Sequence, residues 1–287
     1  MASPIVSVII PYYNGFSYME ALLACFKSQS LKSFELIVVN DDPSDTRIKS
    51  LLKKLPFALL IQNPKNLGFA KTVNRGIRRA QGKYVCLLNQ DTIVDKNYLK
   101  KHVDFLERNN STAVLGCKFL DKNGSIYFSN SVLHTGFPFD LNENLGEVTE
   151  TEHVCLGSAF IRKKVFREIG LISEDYFAKY EDCDFSERIR RETNYKLQVL
   201  PHALVTHTGI STAMSNYNNL FHSQRSLIIF QRKFYPKAFL KNLFFVTPKL
   251  MFWEYLYMIP RNPISYLQSV HAVLSGTASA LLWRPKK

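Results

Sequence analysis

The sequence predicts an α/β protein, an open mixed sheet flanked by helices and followed by a C-terminal helical extension. Two observations carry this reading. In the first half, short β-branched runs alternate with stretches whose apolar residues recur at helical spacing, which implies parallel strand-helix-strand units. From about Tyr217 onward the chain turns helical, basic and aromatic, with Phe221, Phe230, Phe234, Tyr235, Phe239, Phe244, Phe245, Phe252, Trp253, Tyr255 and Tyr257.

Val6-Ser7-Val8-Ile9-Ile10 reads as the first strand, a helix through Leu22, Leu23 and Phe26 follows, and Glu35-Leu36-Ile37-Val38-Val39 reads as the second strand. A helix from Arg47 to Leu55, the run Ala58-Leu59-Leu60-Ile61, a helix from Phe69 to Ala80 closed by Gly82, and the strand Tyr84-Val85-Cys86-Leu87-Leu88 complete an open α/β sheet. From Ala113 the pattern changes. Asp121-Lys122-Asn123-Gly124 predicts a hairpin turn, His153 to Ile161 and Lys196 to Leu200 predict strands around a short helix, and this part reads as mixed or antiparallel. The expected organisation is one unit over 1–215, divided into 1–112 and 113–215, and a second region over 216–287.

With 287 residues and 46% hydrophobic composition the chain can bury a substantial core, which excludes disorder. Lys+Arg 37 against Asp+Glu 24 gives a net charge of +13, suited to polyanionic partners. No recognised nucleic-acid motif accompanies that charge, so nucleic acid is not an expected partner. Cys25, Cys86, Cys117, Cys155 and Cys183 form no CxxC pair, and most lie in apolar runs, which points to reduced thiols and a reducing compartment. Met1-Ala2-Ser3-Pro4 leads into a strand without a basic and apolar leader, so a cytosolic location is expected. Ile264 to Trp283 carries no formal charge but is too polar for a membrane span. Its residues Ile264, Leu267, Val270, Leu274, Ala278 and Leu281 recur at helical spacing beside Arg284, Lys286 and Lys287. That pattern suits either seating on the anionic inner face of a membrane or packing against the rest of the chain or a second copy.

In an open α/β sheet, ligands gather at the carboxyl ends of the strands. Pro11-Tyr12-Tyr13-Asn14, Asn40-Asp41-Asp42, Asn63-Pro64-Lys65-Asn66 and Asn89-Gln90-Asp91 stand there. Asp41 and Asp42 can accept hydrogen bonds from a pyrimidine or a ribose, or simply sit in a solvated turn before a helix capped by Ser44 or Asp45. Asn66-Leu67-Gly68 opens a helix bearing Asn74, whose N-terminus offers free amides to a diphosphate or forms an ordinary turn. Asn89 and Asp91 point to one side of an extended segment and Gln90 to the other. The oxygen ligands suit Mg²⁺ or Mn²⁺, and a plain turn explains the same tripeptide. Glu181 and Asp182 open a helix whose Phe185 and Ile189 face inward. One of the two carboxylates serves as general base, or both only complement the helix dipole. His207, ending an apolar run, either completes a metal's coordination or is structural.

Taken in order, these pieces resemble a family 2 glycosyltransferase of the GT-A fold, nearest a rhamnosyltransferase-like bacterial subset. The matching segments are Val8 to Asn14, Val38 to Asp42, Asn66 to Ala70 with Asn74 and Gly76, Asn89-Gln90-Asp91, Gly157-Ser158-Ala159, Tyr180 to Asp184 with Arg188, and His207 to Ser211, covering roughly residues 5 to 211. The resemblance implies an inverting, metal-dependent enzyme that moves a sugar from a nucleotide-diphosphate sugar, dTDP-rhamnose or a UDP-hexose. The receiving hydroxyl would belong to a growing surface polysaccharide or a polyprenyl-diphosphate-linked glycan. It makes 1–112 a nucleotide-binding half and 113–215 an acceptor-binding half. Pro11, Tyr13, Asn14, Asp41, Asp42, Asn66, Gly68, Asn74, Asn89 and Gln90 would hold the donor, with Asp91 and His207 on Mn²⁺ or Mg²⁺. Asp182 would be the base, Glu181 would orient the acceptor, and Gly157, Ser158 and Arg188 would complete the acceptor side. The chain departs from the pattern at Asn89, where many relatives carry Asp, which takes one charge from the metal site. A sugar nucleotidyltransferase is the nearest alternative, but Pro11-Tyr12-Tyr13-Asn14 is not its glycine- and arginine-rich phosphate loop. Self-association is compatible with all of these readings.

Overall fold

In the computed structural model, described over residues 3–53, 55, 57–134, 136–209, 216–246 and 263–285, strands and helices alternate through the first half. They are β1 (Val6–Tyr12), α1 (Phe16–Lys27), β2 (Phe34–Asn40), α2 (Arg47–Leu52), β3 (Ala58–Gln62), α3 (Phe69–Arg79) and β4 (Tyr84–Leu88). Helix α2 stops earlier than the expected Leu55, a residue that precedes Pro56 and is steered away from helical torsions.

The second half adds β5 (Thr92–Val94), α4 (Tyr98–Arg108), β6 (Thr112–Leu120), β7 (Ile126–Phe128), β8 (Asn130–His134), β9 (Phe137–Leu141) and β10 (Thr149–Glu150). Then come β11 (Ser158–Arg162), α5 (Val165–Glu168), α6 (Glu181–Glu192) and β12 (Lys196–His207). The main sheet runs β10-β12-β6-β11-β4-β1-β2-β3, with β5 beside β12, β7 beside β6, and β8-β9 as a separate hairpin. Pairs β3-β2, β2-β1, β1-β4 and β12-β6 are parallel, and β11 lies antiparallel between β4 and β6. The carboxyl ends of β1, β2, β4, β6 and β12 therefore share one edge, and the loop entering β11 arrives at the same edge.

Two expected strands differ from those observed. His153 to Gly157 is a loop, and β11 starts only at Ser158. The expected strand Lys196 to Leu200 and the apolar run ending at His207 are one strand, β12, interrupted by a register shift between Leu200 and Leu204.

Alternation along β1 divides the core. Val6, Val8, Ile10 and Tyr12 pack with Met19, Leu22 and Phe26 of α1 and with Leu99 and Leu106 of α4. Ile9, with Ile37 and Val39, meets Ala70, Val73 and Ile77 of α3 and Phe185 and Ile189 of α6. Helices on both faces explain the near-continuous β-branched runs, each fully buried side chain of this kind contributing about 1.5–3 kcal/mol.

After residue 215 come α7 (Asn216–Phe234), α8 (Pro236–Lys241), a π-helical turn over Asn242–Val246 and α9 (Pro263–Leu282). Phe252, Trp253, Tyr255 and Tyr257 lie outside the described residues. Helix α7 is attached to the sheet domain rather than trailing from it. Ile228, Ile229, Phe230 and Phe234 pack with Tyr176 and Cys183. Arg225 donates to the Asp175 carbonyl at 2.8 Å and Ser226 to the Ala178 carbonyl at 2.9 Å. Lys233 reaches the fully buried Asp184 at 2.6 Å. Helix α9 lies on α7 with its small residues, Ser269, Ala272, Gly276 and Ala280, buried, whereas Leu267, Leu274 and Leu281 remain 66%, 55% and 47% exposed. No described helix is long and apolar enough to cross a membrane.

Candidate active site

A cleft of about 530 Å³ opens at the shared carboxyl edge of the sheet. Its walls include Pro11, Tyr12, Tyr13 and Asn14 after β1, Asp41 after β2, Asn66, Gly68 and Phe69 at the start of α3, and Asn89, Gln90 and Asp91 after β4. His207 at the end of β12, Tyr18, Tyr127, Cys155, Phe177, Ala178 and Asn219 also line it.

The loops are set by short polar contacts. Gln90 clamps the segment after β1, its Nε2 donating to the Tyr13 carbonyl at 2.7 Å and its Oε1 accepting from the Tyr13 amide at 3.0 Å. Asn14, at φ 45°, takes the left-handed turn that follows, a conformation asparagine tolerates. Asp41 shapes the opening of α3. Its Oδ1 accepts from Asn63 Nδ2 at 2.7 Å and the Leu67 amide at 2.8 Å, and its Oδ2 from the Gly68 amide at 3.1 Å. Gly68 adopts φ +80°, and a Cβ there would stand 2.4 Å from the Phe177 carbonyl oxygen, so only glycine fits. That same carbonyl accepts the Phe69 amide at 3.0 Å, which occupies one of the helix-end donors expected to face a diphosphate.

Asp91 and His207 meet in the cleft, Oδ2 to Nε2 at 3.1 Å, each side chain 18% exposed. Gly209 permits the approach, since a Cβ there would stand 2.1 Å from Asp91 Oδ2. The pair fits a divalent ion. Neighbouring ligands on a six-coordinate Mg²⁺ with bonds of about 2.0–2.1 Å stand about 3 Å apart, with the other positions open to water or phosphate oxygens. Another close set of donors, His153, Asp182 and Cys183, has its ligand atoms within 4.8 Å of one another. It suits an ion poorly, because none of the three lines the cleft, His153 is only 6% exposed, and burial holds the Cys183 thiol protonated.

Asp182, its side chain 21% exposed, is not among the residues that line this cleft. Burial pulls its carboxyl up, the nearby His153 overrides that pull, and the net result lies below the ordinary value. Its negative charge also helps to raise the thiol of Cys155, a cleft residue. Glu181 is buried, one of its oxygens has no hydrogen-bond partner among the described residues, and burial followed by the neighbouring Asp182 charge pushes its carboxyl up to about 8. Lys179 and Tyr180, immediately before this pair, both adopt left-handed torsions, at φ 65° and 66°. Such backbone strain accompanies functional turns.

Several expected ligand residues do other work. Asp42 accepts from the Ser44 amide at 3.1 Å and hydroxyl at 2.5 Å and lies outside the cleft, the turn reading left open above. Asn74 braces the Ile172–Glu174 loop through Ile172 and Glu174. Ser158 is buried against the Tyr98 hydroxyl at 2.5 Å, and Gly157 accepts the Asn89 amide at 2.8 Å. Arg188 is held by Asp184 and by the Ile169 and Leu171 carbonyls. Contributors that the sequence reading missed are Tyr18, Tyr127, Phe177, Asn219 and His153. The aromatic residues blend into an aromatic-rich chain, and no local pattern marks His153.

The glycosyl transferase family 2 model matches residues 7–170, which spans β1 through α5 and most of the cleft. The chain belongs to this family. An uncharacterized glycosyltransferase of Haemophilus influenzae is 27% identical over 204 residues, covering 66% of this chain and 61% of that protein. One from Rickettsia bellii is 30% identical over 179 residues, 60% of this chain and 25% of the relative. This chain thus spans less than two thirds of the length of either relative. Among solved structures, GalNAc-T7 with UDP, GalNAc and Mn²⁺ superposes with a TM-score of 0.65 at 14% identity, over 80% of this chain and 48% of that one. Residues 1–349 of S. aureus TarS superpose with a TM-score of 0.55 at 20% identity, over 78% and 64%. These likenesses identify the GT-A fold of the family 2 glycosyltransferases.

Proposed function

We propose that the protein is an inverting glycosyltransferase that moves a sugar from a nucleotide-diphosphate sugar, a UDP-hexose or dTDP-rhamnose, to an acceptor hydroxyl. The Asp91–His207 pair inside the cleft carries this reading, because it offers a carboxylate and an imidazole at the spacing a divalent ion needs. The solved relative holding UDP and Mn²⁺ on the same fold supports it. Mn²⁺ or Mg²⁺ held there would neutralise charge on the departing diphosphate. Tyr13, Asn14 and the Asp41-shaped loop bound the donor space, and Asn89 lines the same cleft. Asp182 takes the proton of the acceptor hydroxyl. The acceptor oxygen bonds to the anomeric carbon from the face opposite the diphosphate, whose C–O bond breaks with its electron pair, so configuration inverts.

A thermal-shift screen of UDP-galactose, UDP-N-acetylglucosamine and dTDP-rhamnose, each with Mn²⁺, tests the reading. One donor should raise the Tm, and Asp91→Ala should remove the Mn²⁺-dependent part of the rise. A flat response to all three overturns the donor assignment.

We further propose that the acceptor is lipid-linked and that the C-terminal helices rest on an anionic leaflet. The uncharged α9 exposes Leu267, Leu274 and Leu281, the π-helical turn exposes Phe244 and Phe245, Lys237 and Lys241 lie on α8, which leads into that turn, and Arg284 follows α9. Phosphatidylglycerol vesicles should float the wild type and release a Phe244→Ser, Phe245→Ser, Leu274→Ser triple variant. Equal flotation of the two, or no flotation of either, overturns this surface.

A further inference from the structure

Two carboxylates stand side by side at the start of α6, and a buried site cannot ionise both cheaply. The helix N-terminus favours an anion but serves Glu181 and Asp182 alike, so it does not choose between them. Something else in the fold does. His153, in the loop before β11, is 6% exposed and places Nε2 3.2 Å from Asp182 Oδ2, while the other Asp182 oxygen accepts the Cys183 amide at 2.9 Å. Glu181 has no such partner among the described residues. One of its oxygens is buried without a hydrogen bond, and Lys179, the nearest cation in sequence, forms no ion pair among the described residues.

We propose that His153 is a positioning residue that decides which of the two neighbouring carboxylates acts as base, holding Asp182 ionised and fixed while Glu181 stays neutral. The inference rests on the reading of Asp182 as the base. Among the described residues neither ring nitrogen of His153 meets hydrogen-bond geometry with any group, so the contact works through charge rather than through an aligned hydrogen bond. A neutral imidazole would leave two buried polar atoms unsatisfied with little attraction in return. Its pairing with Asp182 raises its affinity for a proton above the ordinary histidine value, against the opposing pull of burial. The charged and titratable groups around it are Asp182 and Asp140, with Glu181, Tyr180, Cys155 and Cys183 clustered about Asp182. In turnover the acceptor proton goes to Asp182 and His153 keeps its own. The imidazolium lowers the basicity of Asp182, and in exchange Glu181 does not compete for the charge.

The test combines kinetics with a readout that needs no turnover. Donor conversion to nucleoside diphosphate is followed for wild type, His153→Phe, His153→Gln, Asp182→Asn and the double variant His153→Phe/Asp182→Asn, using whichever screened donor stabilises the protein most. His153→Phe should lower kcat about 10²-fold with donor KM within about threefold, in keeping with loss of general-base help. The double variant should be no slower than Asp182→Asn alone, because the histidine acts through the aspartate. Unchanged kcat in His153→Phe, or losses that multiply in the double variant, overturns the proposal. If His153→Phe does not fold, His153→Gln decides, since it keeps a neutral donor without the charge, and full kcat there overturns the need for charge. Full turnover by Asp182→Asn instead sinks the base assignment. Independently of activity, the NMR titration midpoint of the His153 ring should fall in Asp182→Asn, and an unmoved midpoint overturns the pairing itself.

Discussion

Glu181 differs from its neighbour in having no cation within ion-pairing distance among the described residues, and stability should record that difference. In the folded chain it holds a proton up to about pH 8, whereas an ordinary glutamate releases it near 4.5. Between those values the native state binds more protons than the unfolded chain, so stability falls as pH rises through the window, by at most about 1.4 kcal/mol per pH unit from this group. His153, whose proton affinity is also raised, adds a fall of the same sign above its ordinary value. Thermal unfolding from pH 6.5 to 8, above the range in which His102 and His222, whose proton affinities burial lowers, act with the opposite sign, should show Tm declining, with a shallower decline in Glu181→Gln, and equal slopes would contradict a neutral Glu181. Asp182→Asn belongs to the same scale. It should lower transfer by about 10²–10⁴-fold while calorimetry finds nucleoside diphosphate affinity within about twofold of wild type. Gln90 shows what residue-level reading reached and missed. Its position after β4 was legible, but its reciprocal clamp on Tyr13 was not, because the partner lies 77 residues away and nothing local announces it.

Strands β1, β2, β3 and β4 were legible because helices cover both faces of their sheet, so the code is a run of β-branched residues bounded by polar turns. Parallel order then brings Pro11, Tyr13, Asn14, Asn89, Gln90 and Asp91 to one cleft, and β12, parallel to β6, delivers His207 to the same edge. Asn74, Ser158 and Arg188 escaped that logic. They sit at positions where a ligand contact and a loop brace look identical in sequence, and only the Ile172, Tyr98 and Leu171 partners distinguish the two. Two element-scale outcomes follow. Gly68→Ala forces a Cβ onto the Phe177 carbonyl at a left-handed torsion, so it should cost about 1–3 kcal/mol in chemical denaturation and weaken the donor-induced thermal shift. Asp184→Ala removes the fully buried acceptor of Tyr176, Arg188 and Lys233, and should cost about 3–5 kcal/mol, because it leaves cations without a counter-charge where α6 meets α7.

At the scale of the whole molecule, a boundary near residue 215 describes the sequence better than the structure. Composition changes there, but α7 buries Ile228, Phe230 and Phe234 against Tyr176 and Cys183 and contributes Asn219 to the cleft. A chain ending at Ser215 should therefore expose that cluster and bind a hydrophobic dye or precipitate, whereas a native-like near-ultraviolet spectrum for it would contradict the packing. The strip Asp175 to Tyr180 makes the dependence concrete. Arg225 and Ser226 hold its carbonyls from one side, the Phe69 amide meets the Phe177 carbonyl from the other, and its last residue leads directly into Glu181 and Asp182. Anyone building hybrids between this protein and a relative should accordingly place the crossover away from 215 and transplant the strip together with its helical buckle, because a junction between them would separate the strap from what fastens it.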